Sequence, residues 1–262
     1  MTSQMKPLAL VTGASSGIGL ELARQFATDG FDVVVTAEDA ELAVAAADLR
    51  TTGAGVHEVR ADLRSPDGVR QLWAEVAGLG RPLDAVALNA GVGRGGAFLD
   101  TDLQDEFDVI DLNVRSTVQL AKLVLRAMAT RDSGRVLVTS SIASTMPGSF
   151  QAVYNASKSF LQSFTEALQE ELKDTGITLT SLMPGPTETE FFERADMLDT
   201  TVGRSKKDDP AQVAKQGFEA LMAGERKLVA GSLKTEAQGL ANKVLPDSLK
   251  AGAHRLMAEP EK

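Results

Sequence analysis

Tyr154 and Lys158 stand four residues apart near the start of an apolar-patterned stretch, residues 152–172. On a helix that spacing puts both side chains on one face. A free phenol ionises near pH 10, too high for proton exchange at neutral pH. A neighbouring ammonium favours the phenolate and moves its ionisation toward the range where general acid–base catalysis works best. Taken alone, such a pair also matches an ordinary surface pair. Tyr154 is, however, the only tyrosine in the chain, so no other residue competes for the role. A second chemistry-bearing feature lies near the start, where residues 12–19 read TGASSGIG. Gly13, Gly17 and Gly19 allow close approach to the backbone where a β-rich run gives way to a helical one. The N–H groups and positive helix end there suit a pyrophosphate. Three residues separate the first two glycines and one separates the last two, unlike the commoner G-x-G-x-x-G fingerprint.

Elements must hold these groups in place. Seven short β-rich runs, at 8–12, 32–37, 56–62, 83–89, 135–140, 177–183 and 227–230, alternate with longer stretches of helical spacing. That alternation predicts parallel crossovers and an α/β, doubly wound, Rossmann-like fold with a seven-stranded parallel sheet. The runs are nearly continuous in Val, Leu and Ala, as befits strands covered on both faces. Ligands are expected beyond their carboxyl ends. Gly30 reads as the stop of the first helix, and Pro66 after Ser65 and Pro210 after Asp209 read as helix starts. Residues 184–209 carry no strand but do carry Phe191 and Phe192, and about 186–209 is expected to be a mobile lid. Residues 1–231 are expected to form one dinucleotide-binding and catalytic domain, with 232–262 a helical extension of it. In that tail Leu233, Leu240, Val244, Leu245, Leu249 and Leu256 are spaced for one or two amphipathic helices.

Composition narrows the chemistry. A chain of 262 residues suits one core, and a net charge of -9 opposes binding to nucleic acid or an anionic membrane. With no cysteine there is no thiolate nucleophile, disulfide, iron–sulfur cluster or cysteine-ligated zinc. His57 and His254 are the only histidines and lack ligand spacing, so no metal site is expected and both read as surface or packing residues. No histidine accompanies Ser141 in a hydrolase elbow. Trp73 reads as packing. No apolar run approaches the roughly 18 residues that span a bilayer, and no targeting segment is visible. A soluble, cytoplasmic protein is expected.

The glycine turn matches TGxxxGxG at every fixed position. Asp62 follows the third β-rich run, Asn89-Ala90-Gly91 the fourth and Pro184-Gly185 the sixth. With Tyr154 and Lys158, these residues make the chain resemble the short-chain dehydrogenase/reductase family, in its compact single-domain branch, to about Ala230. The resemblance implies an NAD(P)-dependent oxidoreductase that passes a hydride between a nicotinamide and a carbonyl or alcohol. It implies that Ser141, thirteen residues before Tyr154 as Ser140 is not, hydrogen-bonds the substrate oxygen. Tyr154 then transfers the proton, and Lys158 together with an oxidised nicotinamide favours the phenolate. Lys158 also holds the ribose, and Asn113, in LNVRST, positions a water behind it. The family pattern puts Asp62 at the adenine and has the Asn89 loop support the sheet and the cofactor. The implied cofactor set is Gly13, Ser15, Ser16, Gly17, Ile18, Gly19, Glu38, Asp62, Leu63, Asn89, Ala90, Gly91, Tyr154, Lys158, Pro184, Gly185, Thr187 and Thr189.

Candidates at the substrate are Ser141, Ala143, Met146, Phe150, Gln151, Phe191 and Phe192, beside Val92 and Gly93. Their apolar character leans toward a hydrophobic ketone, aldehyde or secondary alcohol, although ordinary packing explains them equally. Two other functions stay open: a dinucleotide-sensing binding protein without chemistry, and a redox-neutral epimerase or dehydratase. Relatives of the second kind carry a larger C-terminal region than this chain. NAD(H) is favoured over NADP(H). At the end of the second run Ala37 replaces the family's aspartate, but Glu38 could accept from ribose hydroxyls and repel a 2′-phosphate. Glu38 could equally face solvent or cap a helix near Asp39. Residues 114–128 place Val118, Leu120, Leu123, Val124, Leu125 and Met128 on more than one helical face. The resemblance suggests that this helix and the Tyr154 helix build a homodimer or homotetramer.

Overall fold

Successive residues of the first strand enter different cores, because strand side chains alternate between faces. Leu8 and Leu10 join one buried cluster, Ala9 and Val11 the other. The computed structural model describes residues 5–232, 235, 237 and 245–260. Strands β1 (Leu8–Thr12), β2 (Asp32–Ala37), β3 (Val56–Arg60), β4 (Ala85–Leu88), β5 (Gly134–Thr139), β6 (Ile177–Pro184) and β7 (Lys227–Ala230) form one sheet in the order β3-β2-β1-β4-β5-β6-β7. Every pairing is parallel. The strand order reverses between β1 and β4, so a crevice opens at their carboxyl ends beside the glycine turn.

On one face lie α1 (Gly17–Thr28), α2 (Glu41–Arg50) and α9 (Pro210–Ala223), where Phe26 meets Phe31 and Phe218 edge-on at 5.2 and 5.1 Å. The other face is covered by α3 (Pro66–Gly78), α5 (Thr117–Ala129) and α6 (Ala152–Glu171). The expected helix boundaries have physical markers. Gly30 sits at φ 89°, where glycine carries no steric penalty. Ser65 Oγ and Asp209 Oδ1 each accept a backbone N–H, from Gly68 and Ala211, at 3.0 Å.

Three features depart from the sequence pattern. First, α4 (Leu103–Val109) runs into α5 through a π-helical turn, Ile110–Ser116, which contains Asn113. Second, the lid segment holds the one-turn helices α7 (Phe191–Arg194) and α8 (Thr201–Arg204), plus one parallel bridge, Thr187 to Asp208. Phe192, Ala195 and Met197 form a small cluster there with Ala258. Third, the last helix, α10 (Asp247–Ala258), does not bury the leucines expected to face the core. Leu249 and Leu256 are exposed, as is Leu245 before it, whereas His254 and Ala258 are buried. Leu233, Leu240 and Val244 lie outside the described residues.

The apolar faces of α5 are largely used within the chain. Leu120, Val124 and Met128 are buried, and Leu123 and Leu125 pack half-buried on the same core, as does Trp73 of α3. His57 is at the surface, 3.3 Å from Glu75. No helix among the described residues is long and apolar enough to cross a membrane.

Candidate active site

The glycine turn is shaped by close approach. Gly13 and Gly17 adopt φ of 66° and 57°, and a Cβ on Gly19 would stand 1.8 Å from the Gly13 carbonyl oxygen. Ser16 precedes α1 in extended backbone, makes no side-chain cap, and no acidic residue occupies the first turn. The N–H groups and positive helix end are thus left to an anion. The turn is clipped to the neighbouring strands. Thr12 Oγ1 accepts from the Asn89 and Ala90 N–H groups at 2.9 and 3.0 Å. Asn89 Nδ2 donates to Thr12 O at 3.1 Å, and its Oδ1 accepts from Thr139 Oγ1 at 3.0 Å. One amide therefore ties β1, β4 and β5 together under the crevice.

Helix α6 brings Tyr154 and Lys158 to that crevice. Ser140 is buried and donates to the Lys158 carbonyl at 3.0 Å, so it anchors the helix. Ser141, half-buried, accepts from Ala143 N at 3.1 Å and donates to Pro184 O at 3.4 Å. Burial pushes the Tyr154 phenol up to about 12, partly offset by the neighbouring Ser141 hydroxyl. Burial likewise acts on Lys158, pushing its ammonium down to about 8. Its Nζ donates to Thr139 O at 2.9 Å and lies 5.8 Å from the tyrosine ring centroid. Gly91 makes room for it, since a Cβ there would be 3.3 Å from Nζ.

Asn113 is wholly buried and works through structure. Its Nδ2 donates to Val92 O and Ser157 Oγ, and its Oδ1 accepts from Val92 N, all at 2.9 Å. These bonds fasten the π-helical turn to the loop after β4. Both amide hydrogens are in use, while Oδ1 accepts one bond and keeps a second lone pair.

A cavity of about 710 Å³ joins these groups. Every residue assigned to the cofactor lines it, as do Ser141, Ala143, Met146, Gln151, Phe191 and Phe192. Asn113 and Phe150 do not. Phe150 sits at φ 61°, packs on the cluster of Phe192, Ala195 and Met197 and faces Arg255 at 5.7 Å. Phe191 comes within 5.1 Å of the Tyr154 ring, centroid to centroid.

Glu38 neither caps a helix nor stands free, for α2 begins at Glu41 after Ala40. It pairs with Arg64, which also bonds Asp62 at 3.0 Å and Asp108 at 3.2 Å. Burial raises the Asp62 carboxyl, but the Arg64 bonds outweigh it and hold the group below its ordinary value. Sequence reasoning missed Asp39 and Arg194, which also line the cavity. Asp39 accepts from Ser15 Oγ at 2.9 Å and lies 3.7 Å from Arg194 of the lid. His254, Met257 and Ala258 of α10 were missed too. The arginine two residues beyond Asp62 was a legible signal; the tail residues carried none.

A family model described as short chain dehydrogenase matches residues 7–198. The 3-oxoacyl-[acyl-carrier-protein] reductase of Synechocystis sp. is 33% identical over 195 residues, covering 74% of this chain and 79% of its own. Among solved structures, a short-chain dehydrogenase from Sphingobium yanoikuyae in complex with NADPH superposes with TM-score 0.81 and 26% identity, covering 98% of both chains. A short-chain dehydrogenase/reductase from Burkholderia phymatum in complex with NAD gives TM-score 0.82 at 23% identity, over 100% of this chain and 99% of that one.

Proposed function

The chain belongs to the short-chain dehydrogenase family, a nicotinamide-dependent oxidoreductase, and from that premise we propose that it interconverts an apolar ketone or aldehyde with its alcohol, preferring NAD(H). The observation that carries this is the trio gathered at the cavity: Ser141 and Tyr154 line it together, with the Lys158 ammonium one helical turn on, 5.8 Å from the tyrosine ring centroid. A bound nicotinamide supplies or accepts the hydride and, when oxidised, adds a positive charge. The cradle of Gly13, Gly17 and Gly19, the open end of α1, and Asp62, Thr187 and Thr189 fit such a dinucleotide.

This chain's own part is proton chemistry. In reduction, Ser141 Oγ donates to the carbonyl oxygen and Tyr154 gives that oxygen its phenolic proton as the carbon gains hydride. The buried phenolate left behind is costly without a nearby cation. Lys158, still largely protonated at neutral pH with its ionisation at about 8, provides one. Oxidation runs the same transfers backwards. Met146, Phe191 and Phe192 wall the substrate side, which favours an apolar substrate. For the cofactor, Glu38, Asp39 and Asp62 line the adenosine end while Arg64 is not among the lining residues. A 2′-phosphate would meet three carboxylates there, whose cationic partners Arg64 and Arg194 are already engaged.

The test follows oxidation of NADH and NADPH against a panel of apolar ketones and aldehydes. Tyr154→Phe should lower turnover on the order of a hundredfold or more while dinucleotide binding survives. Near-normal turnover would remove the tyrosine from its role. A higher kcat/KM with NADPH than with NADH would overturn the cofactor preference.

A further inference from the structure

We infer that His254 is a substrate-recognition residue that accepts a hydrogen bond from a hydroxyl set away from the reacting carbonyl. The inference rests on the carbonyl–alcohol reading above and narrows its substrate class to hydroxylated apolar ketones. His254 lines the cavity with Met257 and is only 6% exposed. Its Nδ1 lies 2.9 Å from the Ser149 carbonyl oxygen. A carbonyl can only accept, so Nδ1 carries the ring proton and a neutral ring presents Nε2 as a bare acceptor. Nε2 has no hydrogen-bond partner among the described residues.

The surroundings keep the ring neutral. Burial lowers its pKa, against a smaller opposing effect from the Ser149 bond. Lys250, one turn earlier on α10, donates to Thr145 O at 2.9 Å and pairs with Asp247. Arg255 pairs with Glu259, and Lys206 stands at the cavity rim. Each of the helix cations thus has its own carboxylate, and no ion pair to a carboxylate holds a charge on the imidazole among the described residues. A hydroxyl can donate to Nε2 without bringing charge into an apolar pocket. Ser149 lies on the loop between Ser141 and Tyr154, so the bond that orients the imidazole also registers it against the reacting end. An acceptor whose partner is supplied only by substrate discriminates against ligands that lack the donor.

The experiment compares kcat/KM for three series, with whichever reduced cofactor serves better: 2-alkanones from 2-hexanone to 2-dodecanone, their ω-hydroxy derivatives and their ω-methoxy derivatives. In the wild type, one or more ω-hydroxy ketones should exceed the parent by about five-fold, the scale of one neutral hydrogen bond, and the methoxy series should show no such gain. His254→Phe should bring the hydroxy-to-parent ratio to near one while the parent ketones are still reduced. His254→Gln, whose amide oxygen accepts, should restore part of it. A purely structural role would lower all three series together and leave the ratio unchanged, and that result overturns the assignment. So does a ratio of one or less at every length in the wild type. If the phenylalanine variant does not fold, the methoxy series decides, because hydroxy and methoxy ketones used equally well remove the donor requirement. Failure of the wild type to reduce any series would overturn the carbonyl-reductase reading, and this assignment with it.

Discussion

Lys158 holds a charge where water cannot reach it, and the folded chain bears that cost for the sake of the tyrosine beside it. Its ionisation falls from 10.5 to about 8 on burial. A depressed lysine pKa means that the folded state binds fewer protons than the unfolded one between those values, so stability rises with pH across that window. Lys158→Met should therefore stabilise the protein near neutral pH, and the advantage should shrink toward pH 10. Urea midpoints for both proteins across that range check this; an advantage that grows with pH would contradict it. The same variant should lose turnover, because the phenolate loses its cation. Glu38 presents a second residue-scale question, since its carboxylate is held in a network with Arg64, Asp62 and Asp108. We expect Glu38→Arg to narrow or reverse a preference for NADH, measured as the ratio of kcat/KM with the two cofactors.

Elements meet across the substrate cavity with little slack. A Cβ on Gly93, in the loop after β4, would stand 2.5 Å from Cζ of Phe191 in α7, and Phe191 in turn lies against Tyr154. Gly93→Ala should displace that ring and raise the KM for an apolar ketone several-fold while leaving cofactor affinity nearly unchanged. Steady-state kinetics with each ligand varied would show the split; equal losses for both would mean that the whole loop had collapsed. At the start of α9, Asp209→Ala removes a cap and should cost about 1 kcal/mol of stability, read as a lower urea midpoint with an unchanged slope. The π-helical turn belongs to this scale too. It is where one long helix accommodates Asn113, whose amide locks the turn to the backbone of Val92.

Over the whole molecule, four of the large apolar side chains left on the surface lie on two neighbouring helices. Leu103, Phe107 and Ile110 follow one side of α4 and its π-helical continuation, exposed by 60, 47 and 40%. On the neighbouring α6, Phe160 is exposed by 42% and stacks on Phe164. Large exposed apolar side chains grouped on one side of a molecule favour association. We propose that these residues make the contact between copies of the chain, with α4 in place of the residues 114–128 suggested by pattern and with the Tyr154 helix as the resemblance suggested. Sedimentation at micromolar concentration should show a dimer or larger species, and Leu103→Lys with Phe107→Glu should shift it to monomer. A wild-type monomer would rule the association out.

The sequence by itself determined the strands, the glycine turn and the pairing of Tyr154 with Lys158. The strands and the tyrosine–lysine pair depend on periodicities of two or about four residues, and the turn on the spacing of its glycines, all of them local along the chain. The preference for Ser141 over Ser140 came from the family resemblance, and the structure puts Ser140 to use as an anchor. Tertiary structure alone decided what depends on contact between distant segments. Arg64 claims Glu38 from 26 residues away, and Ser149 orients His254 across 105 residues. Phe150 packs on the cluster of Phe192, Ala195 and Met197 rather than lining the cavity. The tail shows the limit most plainly: its leucine spacing promised an apolar face, yet α10 turns a histidine and an alanine inward. Hydrophobic pattern states how much a helix can bury, whereas the shape of the surface it meets selects which residues are buried.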